Sequence, residues 1–229
     1  MKDKVVVITG ASRGLGKSLA QVFASKGAKV VVSGRDRNDL LLVSKEISAL
    51  PIVCDVTKED QVSDLAQKAT QQFGRIDIWI NNAGIWLPRA PVEEIDMKRA
   101  HDLLEVNLFG TVYGSRVALV QMKNQGFGTI INIVSTAALQ GRPLSTLYSA
   151  SKYAARGFTD SLREEVRDSG VKVVGIYPGG IKTDLFNEKK PEDFDDFMSP
   201  ESVAQKIVDN LEKLEPETEM VLRRPGQSK

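Results

Sequence analysis

The sequence predicts an α/β domain in which helices cover both faces of a parallel sheet. Short β-branched apolar runs recur along its 229 residues, and amphipathic segments of helical length separate them. Nearly continuous apolar runs indicate strands buried on both faces, as in parallel sheets whose strands are joined by crossover helices. Since 41% of the residues are hydrophobic and no linker interrupts the pattern, one doubly wound domain is expected over residues 1–229.

Seven segments fit the strand pattern, and most are continuous rather than alternating. Their valines and isoleucines favour extended structure because branched side chains pack well on a pleated surface. In chain order the segments are KVVVIT from Lys4, AKVVVS from Ala28, PIVC from Pro51, IDIWI from Ile76, TIINIV from Thr129, VKVVGIY from Val171 and EMVL from Glu219.

Three amphipathic segments between these strands are predicted to be helices. Each closes on a glycine, which readily adopts the left-handed conformation that ends many helices. The segments are GKSLAQVFASKG, closing on Gly27, KEDQVSDLAQKATQQFG, closing on Gly74, and SKYAARGFTDSLREEVRDSG, closing on Gly170. The charged residues of the third helix are expected to form a solvated face. They are Arg163, Glu164, Glu165 and Arg167.

Charge and composition restrict the partners and the location. A net charge of +1 without a basic block argues against nucleic acid and membrane lipid as partners. The first apolar stretch is too short for a signal sequence or a membrane span, so a cytoplasmic protein is expected. The single cysteine, Cys54, excludes an internal disulfide and is predicted to be a core residue. No residues have metal-ligand spacing, and His101, at a predicted helix start, is expected to be solvated.

Polar and glycine-rich residues follow six of the predicted strands. In a parallel α/β sheet, ligands bind beyond the carboxyl ends of the strands. These ends are therefore predicted to form one binding site. In strand order they read TGASRGLG, SGRD, CDV, NNAG, VSTAA and YPGGIKT.

The first of these strand ends predicts a dinucleotide site. Gly10, Gly14 and Gly16 lie between a buried strand and a helix, where the missing side chains let backbone amides approach a pyrophosphate.

The second strand end predicts which dinucleotide binds. It reads Ser33, Gly34, Arg35. It therefore lacks the carboxylate that accepts a hydrogen bond from the adenosine ribose 2′-hydroxyl of NAD. Guanidinium groups of Arg13 and Arg35 suit a 2′-phosphate, so NADP(H) is expected to be preferred over NAD(H), unless Arg35 is only a solvated loop charge.

Other residues near the strand ends are candidates for the walls of the site. Asp55 is placed to meet the adenine, and Asn81 to Gly84 to form the floor beneath the adenosine ribose. Apolar residues after the fourth strand, before the helix that carries Tyr148 and in the segment after the sixth strand are candidate substrate walls. They are Trp86 with Leu87, Leu139 to Leu144, and Phe186.

Tyr148 and Lys152 are predicted to form an acid/base pair. They are four residues apart on a predicted helix and therefore share a face. Lowering the pKa of a tyrosine from about 10 to about 7 requires roughly 4 kcal/mol, which a nearby, partly desolvated cation can supply. Ser135, where the fifth strand ends, is expected to orient the reacting oxygen, with a capping role as the alternative. Asn107, an amide in an apolar helix, is expected to hold a water next to Lys152 as a proton relay.

Taken together, these motifs resemble the short-chain dehydrogenase/reductase family over nearly the whole chain. TGASRGLG, the DV of Asp55 and Val56, NNAG, YSASK and PGGIKT occur in the family's order, together with Asn107 and Ser135. The resemblance implies a Rossmann-type seven-stranded sheet in the order 3-2-1-4-5-6-7 and a homodimer or homotetramer. It also implies a catalytic tetrad of Asn107, Ser135, Tyr148 and Lys152.

The resemblance further implies which residues contact the cofactor and where the substrate is covered. A short substrate segment is expected at about residues 181–200. The implied cofactor contacts are Gly10, Ser12, Arg13, Gly14, Leu15, Gly16, Gly34, Arg35, Asp55, Val56, Asn82, Ala83, Gly84, Tyr148, Lys152, Pro178, Gly179, Ile181 and Thr183.

The expected function is NADP(H)-dependent hydride transfer between the nicotinamide and a small carbonyl or secondary alcohol, in the manner of a ketoreductase. One alternative is a non-catalytic dinucleotide sensor or scaffold on the same fold, against which the complete tetrad argues. A second alternative is a nucleotide-sugar epimerase or dehydratase, which shares the tyrosine and lysine pair. The short stretch after Gly180 argues against the larger substrate domain of those enzymes.

Overall fold

A computed structural model describes residues 1–224 and contains one sheet of seven parallel strands in the order 3-2-1-4-5-6-7. This confirms the predicted fold class and strand order. The strands are β1 Val5–Ile8, β2 Lys29–Gly34, β3 Leu50–Val53, β4 Ile78–Asn81, β5 Gly128–Ile133, β6 Val171–Pro178 and β7 Glu219–Leu222. The sequence predicts a frayed tail at RRPGQSK, Arg223 to Lys229, and its residues from 225 onward lie outside the described part of the chain.

Helices cover both faces of the sheet. They are α1 Gly14–Ser25, α2 Arg37–Ile47, α3 Glu59–Phe73, α4 Met97–Leu104, α5 Gly110–Gln125, α6 Thr146–Glu165 and α7 Pro200–Leu211. A π-helical turn, Glu105–Phe109, joins α4 to α5. Within residues 1–224, no helix is both long and apolar enough to cross a membrane.

The strands are mostly apolar because they contribute side chains to two cores. Val6 and Ile8 of β1 pack with residues of α1, α2 and α7, whereas Val7 points to the opposite core with residues of α3, α5 and α6. Alternate residues of a strand face opposite sides of a sheet, so a strand covered on both sides needs apolar residues at every position. The continuous runs in the sequence reflect this double burial.

The glycine stops are confirmed for α1 and α3 but not for α6. Gly27 and Gly74 have φ values of +80° and +78°; Gly74 directly follows α3, and Gly27 follows the last residue of α1 with Lys26 between them. Gly170 also has a positive φ, but α6 ends at Glu165 and a turn connects the two. His101 is exposed as expected, although it lies in the last turn of α4 rather than at a helix start.

Arg163 does not lie on a solvated face as predicted. Its side chain is 19% exposed, and its guanidinium donates to the carbonyl oxygens of Val173 at 3.1 Å and Thr218 at 3.2 Å. It also pairs with Asp160 at 3.1 Å and Glu219 at 3.0 Å. Arg163 therefore joins α6 to β6 and β7. Helical periodicity does not reveal this contact, because the partners come from distant strands.

Removal of this guanidinium is expected to destabilise the fold. Arg163→Ala leaves two backbone carbonyls and two carboxylates with fewer donors, and the expected loss is about 2 kcal/mol of unfolding free energy. Arg167→Ala, which removes an exposed ion pair with Glu164 from the turn just after α6, is the matched control and should cost less than about 1 kcal/mol. Urea denaturation measures both changes. Equal losses in the two variants would contradict the assigned role of Arg163.

Candidate active site

A cavity of about 620 Å³ lies at the carboxyl edge of the sheet. Every residue predicted to contact the cofactor lines this cavity, as do Ser135, Tyr148 and Lys152. Asn107 lies behind the wall rather than on it, and only 1% of its surface is exposed. The fold thus brings the ends of six strands to one cavity, large enough for a small-molecule ligand.

The glycine loop after β1 is shaped by close backbone contacts. Gly10 and Gly14 have positive φ values of +63° and +54°. A side chain on Gly16 would overlap the carbonyl oxygen of Gly10 and would lie 2.5 Å from Nδ2 of Asn82. That Asn82 nitrogen donates to the carbonyl oxygens of Thr9 at 2.9 Å and Gly10 at 3.0 Å. Gly10 and Gly16 are therefore required by the packing of the loop against the end of β4, and Gly14 by its left-handed backbone and its close approach to Thr183.

The N-terminus of α1 faces this cavity without a capping side chain. Arg13 precedes the helix in extended conformation, and no side chain in residues 1–224 accepts a hydrogen bond at this cap. Gly14, Leu15 and Gly16 of the first turn all line the cavity. Uncapped amides and the positive end of the helix dipole suit an anionic group. The loop and the helix start therefore fit the diphosphate of a dinucleotide.

Near the end of β2, arginine side chains line the cavity, and the carboxylate of Asp36 already accepts hydrogen bonds from backbone amides. Asp36 caps α2, where its Oδ1 accepts from the backbone amides of Asn38 at 2.8 Å and Asp39 at 2.9 Å. Arg13 and Arg35 both line the cavity. The first acidic residue after β2 thus caps the helix that follows, although Asp36 and Asp39 line the cavity together with the two guanidinium groups.

The end of β3 is held by local hydrogen bonds. Oδ1 of Asp55 accepts from the backbone amide of Thr57 at 3.0 Å and from its hydroxyl at 2.9 Å. Cys54 is buried as predicted, and burial raises the pKa of its thiol to about 11. A protonated thiol is a poor nucleophile, so Cys54 acts here as a packing residue.

Tyr148 and Lys152 lie one turn apart on α6 and reach the same part of the cavity. Nζ of Lys152 donates to the carbonyl oxygen of Ile133, at the end of β5, at 3.1 Å. The same nitrogen lies 5.9 Å from the centroid of the Tyr148 ring. Only 6% of the Lys152 surface is exposed. The helix spacing thus brings the two groups together as predicted, although Lys152 is anchored to β5.

The electrostatics of this pair differ from the sequence-based expectation. Removal of water raises the pKa of Tyr148 above its usual value, and the nearby Ser135 hydroxyl and the charge of Arg142 only partly oppose this rise. Burial also lowers the pKa of Lys152 to about 8. A lowered pKa for Tyr148 was predicted because helix spacing brings Lys152 close, but spacing does not report how much water both groups lose. The tyrosine is therefore a neutral acid at pH 7.

Ser135 both caps a turn and lines the cavity, whereas the sequence had offered the two positions as alternatives. Its Oγ accepts from the backbone amide of Ala137 at 3.1 Å and so caps the 3₁₀ turn Thr136–Ala138. It donates to the carbonyl oxygen of Pro178, at the end of β6, at 3.5 Å. The hydroxyl is thus fixed between β5 and β6 while facing Tyr148.

Asn107 holds the loop after β4. Its Nδ2 donates to the carbonyl oxygen of Ile85 at 3.0 Å and to Oγ of Ser151 at 3.1 Å, and the backbone amide of Ile85 donates to its Oδ1 at 2.9 Å. Since Asn107 lies in the π-helical turn, this contact ties the turn to the cavity wall between Gly84 and Trp86. The structure shows a clamp on the loop backbone, and the water relay stays a prediction.

A buried polar network lies beneath the cavity, and of its members only Asn81 was predicted from the sequence, as part of the floor. Nδ2 of Asn81 donates to Oδ1 of Asn132 at 2.8 Å and to Oγ of Ser115 at 2.9 Å, and Nδ2 of Asn132 donates to Oγ1 of Thr159 at 2.9 Å. These bonds connect β4 and β5 with α5 and α6. The signal was present as two asparagines inside apolar strands, since buried amides require partners.

The substrate end of the cavity has an aromatic wall. Trp86 packs edge-on against Phe186, with ring centroids 5.1 Å apart, and Phe186 packs against Phe197 at 5.4 Å. All three line the cavity, whereas Leu87 does not. From the segment Leu139 to Leu144 only Arg142 reaches the lining. Trp86 and Phe186 were named from the sequence, while Phe197 and Arg142 are additions from the structure.

Residues 4–193 match the family model described as short chain dehydrogenase. The chain belongs to the short-chain dehydrogenase/reductase family. An uncharacterized oxidoreductase of Staphylococcus saprophyticus is 40% identical over 191 residues, which cover 81% of each chain. This family membership makes the chain an oxidoreductase.

Two solved structures of the family are similar over almost their whole length. A 3-ketoacyl-(acyl-carrier-protein) reductase from Brucella melitensis, complexed with NADH, is 28% identical, with a TM-score of 0.91 and 98% of each chain covered. An alcohol dehydrogenase from the archaeon Thermococcus sibiricus, complexed with 5-hydroxy-NADP, is 26% identical, with a TM-score of 0.91 and coverage of 100% and 99%. Both neighbours therefore contain nicotinamide dinucleotides.

Proposed function

We propose that this protein is an NADP(H)-dependent oxidoreductase that reduces a small carbonyl compound to a secondary alcohol. One observation carries the proposal. Tyr148 presents a hydroxyl with a raised pKa beside Ser135 and Lys152, in a cavity that continues to the glycine loop after β1. A phenol that keeps its proton at neutral pH suits proton donation, which is the step that carbonyl reduction requires.

The residues present fit the dinucleotide. The uncapped amides of α1 would hold the diphosphate, and Arg13 and Arg35 the 2′-phosphate. Lys152 would hold the nicotinamide ribose, and residues 178–183 the carboxamide side. When bound, the reduced nicotinamide supplies the hydride for the substrate carbon.

The side chains of this chain supply the proton and position the oxygen. The hydroxyl of Ser135 orients the carbonyl oxygen of the substrate, and Oη of Tyr148 donates its proton to that oxygen as negative charge develops there. The ammonium of Lys152, protonated at pH 7 because its pKa is about 8, stabilises the phenolate that remains. Asn107 keeps the wall between Gly84 and Trp86 in place through Ile85.

The proposed assembly is a homodimer or homotetramer formed through α5 and α6. Phe109, Val120 and Tyr153 expose 41%, 60% and 43% of their surfaces on these two helices or directly before them. Exposed apolar side chains on neighbouring helices favour association with a second copy. Sedimentation of the purified protein measures the assembly directly.

An isotope experiment tests the proposed reaction. The protein is incubated with NADPH that carries deuterium at the reactive ring carbon and with a panel of ketones, aldehydes, diketones, quinones and acyl thioesters. Mass spectrometry should find an alcohol with deuterium on its carbinol carbon. Binding of NADPH without any deuterated product from the panel would favour the non-catalytic sensor.

Replacement of Arg35 is expected to change the cofactor preference. Arg35→Ser removes a guanidinium from the end of β2, so the Kd for NADPH should rise about tenfold or more while the Kd for NADH changes little. Arg37→Ser is the matched control, because Arg37 opens α2 but does not line the cavity. Fluorescence titration measures both constants. Equal weakening of NADPH and NADH binding in Arg35→Ser would show that Arg35 does not read the phosphate.

A further inference from the structure

The lining of the cavity combines aromatic and cationic side chains. The aromatic wall defined above, Trp86, Phe186 and Phe197, brings together the loop after β4 and the segment after β6. Arg142 reaches the lining from the segment before α6, and of the lining arginines it is the one whose charge acts on Tyr148. The proposed reduction itself requires neither the aromatic wall nor this cation.

Arg142 is fixed at the catalytic residues. Its Nη2 donates to Oγ1 of Thr136 at 3.0 Å, and Thr136 directly follows Ser135. Its charge acts on the Tyr148 hydroxyl strongly enough to oppose the burial-driven rise of that pKa. Arg142 is exposed overall and lines the cavity, and one side-chain hydrogen bond is formed by its guanidinium, so several of its five donors are left for a ligand.

No carboxylate of the described chain neutralises Arg142. Among residues 1–224, none lies within ion-pair distance of its guanidinium. Two acidic residues line the same end of the cavity. Asp193 is paired with Arg224 at 3.2 Å, and Asp184 forms no ion pair with Arg142 in the described part of the chain. The positive charge beside the proton donor is therefore available to an anionic ligand.

We propose that the substrate of this reductase is a carbonyl compound that bears a carboxylate and an apolar group. Arg142 would bind the carboxylate through paired hydrogen bonds, and Trp86 with Phe186 would contact the apolar group. The inference rests on the proposed function and deepens it by naming the substrate class. Carboxylate binding at Arg142 would orient the carbonyl oxygen toward Tyr148 and Ser135, which makes Arg142 a specificity-determining residue.

Matched acids and esters test this substrate class. Benzoylformate and benzoylpropionate place a carboxylate at two distances from an aryl ketone, and each methyl ester removes the charge while keeping the carbonyl. The wild-type kcat/KM with NADPH should be about tenfold or more higher for the acid than for the ester in at least one pair. In Arg142→Met the kcat/KM for the acid should fall by a factor at least about tenfold larger than the kcat/KM for the ester does. Arg142→Lys should keep part of the preference for the acid over the ester.

Two further variants separate recognition from structure. Arg116→Met removes an exposed arginine of α5 that does not line the cavity and controls for net charge. Thr136→Val breaks the hydrogen bond that holds Arg142 but keeps its charge. If Arg142 served only to anchor its loop, Thr136→Val would reproduce the Arg142→Met profile. Such a match would overturn the proposal. So would a higher kcat/KM for the ester in both pairs, or an Arg142→Met variant with the same ratio of acid to ester kcat/KM as the wild type.

A binding readout distinguishes failure of this inference from failure of the proposed function. Phenylacetate should raise the Tm of the wild type more than phenylacetamide does, and Arg142→Met should remove the difference. Equal shifts in the wild type would overturn the carboxylate site. A selective shift without turnover of any acid or ester would support the site and count against the reductase.

Discussion

Replacement of Tyr148 by phenylalanine is expected to lower kcat for carbonyl reduction by about 100- to 10,000-fold. The variant keeps the ring but lacks the hydroxyl whose proton the proposed reaction uses. The Kd for NADPH should stay within about threefold of the wild-type value, because the phosphate site at α1 is untouched. Steady-state turnover and fluorescence titration measure the two quantities separately.

Tyr153→Phe is the matched control for this change. Tyr153 lies on the same helix, exposes 43% of its surface and does not line the cavity. Tyr153→Phe therefore removes the same chemical group as Tyr148→Phe, but from outside the cavity. Its kcat should equal that of the wild type. The Tm of Tyr148→Phe should change by less than about 4 °C, which corresponds to about 1 kcal/mol for a chain of this length. Turnover of Tyr148→Phe close to the wild-type rate would rule out Tyr148 as the proton donor.

Replacement of Lys152 by methionine is expected to abolish turnover and to stabilise the cofactor-free protein at pH 7. Burial lowers the pKa of Lys152 from 10.5 to about 8. The charged ammonium therefore destabilises the folded state, because water solvates it better in the unfolded chain. The shift corresponds to about 3 kcal/mol. Methionine fills a similar volume without charge, and the expected gain is about 1–3 kcal/mol. Urea denaturation of both proteins measures it.

The stability difference should depend on pH in a defined window. Below about pH 8 the lysine is protonated in both the folded and the unfolded chain, so the full penalty applies. Between about pH 8 and 10.5 the unfolded chain binds more protons, and wild-type stability therefore rises relative to Lys152→Met. Lys123→Met, at an exposed position of α5, should show neither effect. A Lys152→Met variant less stable than the wild type at pH 7 would contradict the buried-charge interpretation.

Most of the fold was predictable because its signals are local. Nearly continuous apolar runs marked the strands, since burial on both faces favours apolar residues at most positions. The glycines at Gly27 and Gly74 ended helices through their positive φ values. The strand order came from the family resemblance of the motifs and is confirmed by the sheet.

The features that were not predictable depend on contacts between distant parts of the chain. Arg163 reaches two carbonyl groups on β6 and before β7, and helix periodicity contains no information on either. The direction of the Tyr148 pKa depends on how much water the finished cavity excludes, whereas helix spacing reports only the distance to Lys152. Asn107 was identified as a buried amide, but its partner Ile85 lies in a loop of no regular pattern.

The most direct measurement is the kcat/KM of the wild-type protein with NADPH and with NADH, using the best carbonyl substrate of the panel. Binding of each cofactor is first established by fluorescence titration. The account predicts that kcat/KM is about tenfold or more higher with NADPH, because Arg13 and Arg35 line the cavity and Asp36 is engaged in capping α2. A higher kcat/KM with NADH, or no binding of either dinucleotide, would contradict it.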